Sequence, residues 1–123
     1  MDSKAAFAET FRQRTKAAAL RVIKLYQQLP NTGEANVIGR QLLRSATSVA
    51  ANYRAACRGR SGAEWFAKMS VCIEEADETQ FWLEMLGEAG IYPQAKLQPL
   101  EQEYLEIVSV LSAARKSYTS KGQ

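Results

Sequence analysis

The densest run of chemically capable side chains in this sequence is acidic: Glu74, Glu75, Asp77 and Glu78 set four carboxylates within five residues. Carboxylates so close together can hold a divalent cation or divide acid and base duties between them. Neither chemistry is completed by the rest of the chain. Metal centres in helical bundles draw acids from several helices and usually a Glu-x-x-His pair, and the chain has no histidine. The same lack removes the commonest general base, the commonest zinc ligand and every imidazole-dependent triad. Cys57 and Cys72 are too few for a metal site and suit small core thiols in a reducing compartment. The expectation is no catalytic residue, no metal, no cofactor and no enzymatic activity, with the acidic run acting as a structural partner for arginine.

The second concentration is basic. Arg12, Arg14, Lys16, Arg21 and Lys24 lie early in the chain, and Arg40, Arg44, Arg54, Arg58 and Arg60 follow, with Tyr53 interleaved. The net charge of +3 conceals a division: residues 1–60 carry eleven Lys and Arg against Asp2, Glu9 and Glu34, a balance of +8, whereas residues 61–123 carry five against ten acids, a balance of −5. Arg12, Arg14, Lys16, Arg21, Lys24, Arg40, Arg54, Arg58 and Arg60 are therefore candidates for a surface that tracks phosphates of RNA or DNA. No motif with base-reading spacing accompanies them, and a solvated or self-paired basic face accounts for the charge as well.

These residues have to be positioned by helices. Gly and Pro are scarce, Ala, Leu, Glu, Arg and Gln abundant, and the 123 residues suffice for one core. Phe7, Phe11, Ala18, Val22, Leu25 and Leu29 form a helical stripe that stops at Pro30-Asn31-Thr32-Gly33. Ile38, Leu42, Ser45, Val49, Asn52 and Ala56 form the next, on a helix crowded with small residues. Gly59 ends it, and Ser61 with Glu64 reads as a capping box. Phe66, Met69, Ile73, Ala76, Gln80 and Leu83 form the third stripe, ended by Gly90, Ile91 and Pro93 in the pattern of a Schellman cap. Leu97, Leu100, Tyr104, Ile107, Leu111, Ala114 and Tyr118 form the fourth, with Pro99 expected in its first turn. The sequence predicts an all-α protein, a single domain over 1–123, with helices at about 4–29, 34–58, 62–89 and 97–118 in an antiparallel up-down-up-down four-helix bundle. No apolar run reaches the roughly 18 residues of a membrane span, and residues 1–4 lead into a charged stretch without a leader core, so a cytoplasmic location is expected.

Folding the second and third helices about residues 60 and 61 puts residue n level with about 121 minus n. Arg44 is then level with Asp77, within reach of Glu74, Asp77 or Glu78; Arg44, Asp77 and Glu78, with Asn52 on the inner line, make the expected structural network. Cys72 falls about eight residues beyond the level of Cys57, roughly 12 Å along the axis, too far for a disulfide. A basic face and an acidic face on one molecule are complementary, which favours head-to-tail contacts between copies and a closed ring. Trp65, Phe81 and Trp82 offer aromatic surface for such a neighbour.

The stretch from Ile38 through Arg44-Ser45-Ala46-Thr47-Ser48-Val49-Ala50-Ala51-Asn52-Tyr53-Arg54, followed by Arg58-Gly59-Arg60-Ser61 and Glu64-Trp65-Phe66, resembles the four-helix bundle proteins of the 23S rRNA intervening-sequence family. Glu75-Ala76-Asp77-Glu78-Thr79, Trp82-Leu83-Glu84 and the Leu29-Pro30 turn extend the resemblance over about residues 7–118. It implies a bundle that assembles as a homopentameric ring. It also implies kinship with the accessory variability protein of diversity-generating retroelements, and so a reverse transcriptase, RNA or DNA as partners. Ala55 stands where many relatives carry Glu, and Ala50 where many carry Pro or Gly. The expectation is a self-assembling, nucleic-acid-associated interaction module using the basic face of helices one and two. The alternative is a purely structural homo-oligomeric scaffold or protein-binding adaptor without nucleic-acid binding.

Overall fold

The computed structural model describes residues 3–120. They form four helices, α1 (Ser3–Gln27), α2 (Gly33–Cys57), α3 (Gly62–Glu88) and α4 (Gln94–Ser120), with no strand among the described residues. Each helix packs on its neighbours in the chain, α2 against α3 most extensively, and a thinner α1–α4 contact closes the square. The α1–α2 seam therefore faces away from the α3–α4 seam. This is the expected antiparallel four-helix bundle. Residues 1, 2 and 121–123 of the expected domain lie outside the described residues.

Local chemistry fixes the turns. Thr32 caps α2 by accepting the Ala35 amide at 3.3 Å, a cap absent from the sequence-based expectation. Ser61 caps α3 by accepting the Glu64 amide at 3.1 Å. Glu64 reaches back one residue further than a capping box requires, to the Arg60 amide at 3.1 Å. At the end of α3, Gly90 takes φ 71°, its amide bonds the Gly87 carbonyl at 3.1 Å, and the Ile91 amide bonds the Leu86 carbonyl at 3.0 Å. These are the two bonds of a Schellman cap, as expected. The fourth helix starts earlier than expected, because the Pro93 carbonyl already accepts the Lys96 and Leu97 amides. Pro99 is thus its sixth residue, past the first turn.

The core runs the length of the bundle through Val22, Leu42, Val49, Leu83, Leu86, Leu97, Tyr104, Ile107 and Leu111, all fully buried. Each such aliphatic side chain contributes about 1.5–3 kcal/mol of transfer free energy. Small residues on α2 let the neighbouring helices close in: a Cβ on Gly39 would stand 2.8 Å from the ring carbons of Tyr26 on α1. Phe7, expected on the core stripe, is instead 43% exposed at the start of α1, stacked on Phe11 at 5.3 Å.

Candidate nucleic-acid interface

Residues 9, 12, 13 and 16 share one face of α1, and residues 50, 51, 54 and 58 share one face of α2, because side chains three and four apart on a helix lie together. Where these faces meet, the seam opens into a cleft of about 730 Å³ lined by Glu9, Arg12, Gln13, Lys16, Ala50, Ala51, Arg54 and Arg58. Ala50 and Ala51 keep its floor free of bulk. Four cations stand against one carboxylate there, and that carboxylate is partly committed. Glu9 accepts the Gln13 amide at 3.0 Å and pairs with Arg12. First the Gln13 bond and then Arg12 hold its carboxyl below the usual range. The result is an open, cation-lined groove able to seat an extended anion such as a phosphate backbone.

Of the nine candidate cations, the structure gathers Arg12, Lys16, Arg54 and Arg58 into this cleft. Arg21 and Lys24 are exposed further along α1, and Arg40 is exposed nearer the other end of α2, on the same stripe as Arg54 and Arg58. Arg60, in the α2–α3 turn, is exposed and pairs loosely with Glu64 at 3.5 Å. Arg14 is a correction. Its guanidinium leaves the cleft for α4, where it donates to both carboxylate oxygens of Glu103, at 2.7 and 3.0 Å, and to Glu106 at 2.7 Å. The Glu103 bond raises its pKa further despite partial burial. Two such pairs occupy the fork, so Arg14 pins the thin α1–α4 seam and is not free for phosphate. Tyr53 is also corrected: it is buried against Phe11, ring centroids 5.6 Å apart, and offers no face for a base to stack on.

On the α2–α3 seam, Arg44 does reach the acidic run, although Asp77 is not its partner. Arg44 Nη1 donates to Glu75 at 2.9 Å and Nη2 to Glu75 at 3.2 Å and to Glu78. Glu75 and Glu78 are three residues apart on one face of α3 and Asp77 is turned away from it, exposed, so the level was right and the rotation was not. The network continues at both ends. Asn52 donates to Ser48 at 2.9 Å, Ser48 donates to Glu75 at 3.2 Å, and Trp82 Nε1 donates to Glu78 at 2.9 Å. That indole bond, then Arg44, lowers the Glu78 pKa. Carboxylates so occupied are structural. Cys57 and Cys72 are free thiols. Cys72 is buried with its thiol 3.6 Å from the Val49 carbonyl, and burial, then the charge of Cys57, pushes its pKa up to about 12.

Sequence reading missed a second charged feature. At the far end of the molecule a smaller cleft of about 250 Å³ between α3 and α4 is lined by Glu84, Glu88 and Glu101 with Gln94 and Gln98. Burial, then the charges of Glu84 and Glu88, push the Glu101 pKa up. The acidic balance of the second half was its trace in the sequence. What could not be seen was that acids on two helices converge while Glu103, two residues on, serves Arg14. No group of side chains able to hold a metal ion occurs among the described residues.

The model of the family described as 23S rRNA-intervening sequence protein matches residues 10–113. A crystal structure of a protein of unknown function from the S23 ribosomal protein family of Bacteroides thetaiotaomicron is similar throughout: 29% identical, TM-score 0.82, covering 89% of this chain and 97% of that one. Comparison with curated proteins returns no match.

Proposed function

This chain belongs to the 23S rRNA-intervening sequence protein family, and from that premise we propose that it works without catalysis, as a self-assembling bundle that associates with RNA through the α1–α2 cleft. The observation that carries this reading is the convergence of Arg12, Lys16, Arg54 and Arg58 on one open groove. A merely solvated basic face would leave the four cations scattered; Arg12 shares its charge with Glu9, whereas Lys16, Arg54 and Arg58 carry no ion pair among the described residues, unlike Arg14 and Arg44. Recognition is of backbone charge: the cleft holds no accessible aromatic platform, so weak sequence preference follows. Assembly as a ring of five and a reverse transcriptase as a further protein partner are carried by family resemblance. Action in the cytoplasm accords with the absence, among the described residues, of a helix long and apolar enough to cross a membrane.

A scaffold without nucleic acid is the second reading. It is favoured by exposed Leu20, Phe81 and Leu105, each about half accessible on outward helix faces. A salt titration separates the two. For a structured RNA hairpin, four phosphates neutralised in the cleft give a slope of log affinity against log salt of about −3.6. Binding that is undetectable at low salt hands the case to the scaffold.

A further inference from the structure

The end of the bundle that carries the basic cleft also gathers aromatic rings. The α2–α3 turn lies there, with the start of α1 and the last turns of α4 beside it. Trp65 and Tyr118 have ring centroids 5.1 Å apart, and the Tyr118 hydroxyl occupies the place that a Cβ on Gly62 would take. Both residues are half-buried, Trp65 against the core, so packing holds the rings while part of their surface stays in solvent. Phe66 beside them is already covered by the Arg115 guanidinium, 5.8 Å from its ring centroid. The two tryptophans differ. Trp82 Nε1 donates to Glu78 at 2.9 Å, whereas Trp65 Nε1 has no acceptor among the described residues and is not buried. A fixed ring with an open N–H suits a ligand that is flat, apolar on its faces and rich in acceptors.

Charge identifies that ligand further. A Cβ on Gly59 would stand 3.3 Å from the Trp65 amide nitrogen, so the turn packs on Trp65 and brings Arg58 and Arg60, the two neighbours of Gly59, close to it. Arg58 lines the cleft, and the Arg60 side chain is 89% exposed. Glu64, the carboxylate at this point, is engaged, accepting the Arg60 amide at 3.1 Å. The cations of the cleft thus lead through the turn to the indole. Flat rings strung on phosphates are the chemistry of unpaired nucleotides, since a duplex stacks its bases on each other and offers a protein no face. Resting on the reading of the α1–α2 cleft as the RNA site, we propose that Trp65, with Tyr118 beside it, stacks an unpaired base of an RNA whose phosphates run from the cleft past Arg58 and Arg60. The substrate class is RNA with a single-stranded segment next to a structured one. Stacking tolerates any base, so the weak sequence preference of the cleft is kept. The flanking arginines favour a polyanion over the same basic face of a second copy.

A blunt RNA hairpin and the same hairpin with a short uridine overhang test the assignment by fluorescence anisotropy. The unaltered chain is expected to bind the overhang form about tenfold more tightly, the worth of one stacked base. Trp65→Leu keeps apolar bulk and removes the π-face. It is expected to lose that advantage, to bind the blunt hairpin as before and to leave the salt slope unchanged, while Trp65→Phe keeps most of the advantage. In Trp82→Phe, where Trp65 is the one remaining tryptophan, the overhang form is expected to quench the fluorescence and the blunt form is not. That measurement leaves Trp65 intact, so it decides the matter even where Trp65→Leu fails to keep its helical content by circular dichroism. No overhang advantage in the unaltered chain, an advantage that survives Trp65→Leu, or an unquenched Trp65 with the overhang form bound overturns the stacking and leaves the cleft reading standing. An unaltered chain that binds neither RNA overturns both. A Trp65→Leu chain whose mass in solution falls while its RNA affinities hold assigns the ring to contact between copies, which overturns the stacking too.

Discussion

Arg12 and Arg14 are two residues apart, which on a helix turns their side chains about 200° from each other. One enters the α1–α2 cleft and the other crosses to α4. A list of cations contains both and cannot separate them, because the partner of Arg14 lies 89 residues away on a helix whose rotation no local pattern fixes. The same limit replaced Asp77 with Glu75 beside Arg44. At this scale Glu101 offers a test. Its pKa is raised by burial and by Glu84 and Glu88, so its neutral form is the one that the fold favours. Its contribution to stability is then present at pH below the ordinary carboxylate range and lost as pH rises through the raised value. Glu101→Gln, which imitates the neutral acid, should raise the melting temperature at pH 7, and the gain should shrink towards zero near pH ~4, where the native carboxyl is itself protonated. Equal gains at both pH values would mean that charge is not the cause.

The elements were legible wherever chain-local chemistry decides them. Ser61, Glu64, Gly59, Gly90 and Ile91 announced the ends of α2 and α3 because capping needs only neighbours a few residues away. The start of α4 was misplaced because Pro93 serves as the residue whose carbonyl opens the helix, four residues before the first core leucine. That error has an energetic consequence. Pro99, inside the helix, has no amide to return to the Ala95 carbonyl, and both residues are exposed, so water takes the free oxygen. Pro99→Ala restores the bond without opening a cavity. Allowing for the greater freedom that it gives the unfolded chain, a gain of about 1–2 kcal/mol is expected, read as a higher urea midpoint at unchanged slope. A lower midpoint would show that the proline's fixed φ is what starts α4 correctly.

Across the whole molecule, the sequence divided its charge between halves of the chain, and the bundle converts that division into two clefts on opposite seams and at opposite ends. The four-helix architecture and the basic character of α1 and α2 were legible because both are sums over many residues. The clefts were not, since they depend on which faces the packing leaves open: Tyr53 went into the core and Arg14 into the α1–α4 seam. If the cleft itself recognises RNA, position must matter more than total charge. The salt dependence of hairpin binding should therefore be measured for R54A/R58A and for K68A/K96A, two forms that lose the same charge inside and outside the cleft, both lysines being exposed. The cleft form is predicted to reduce the log–log salt slope by about two and to weaken binding at every salt concentration, while the other leaves the slope unchanged. Equal losses from the two forms would contradict a cleft-centred interface and leave only diffuse attraction.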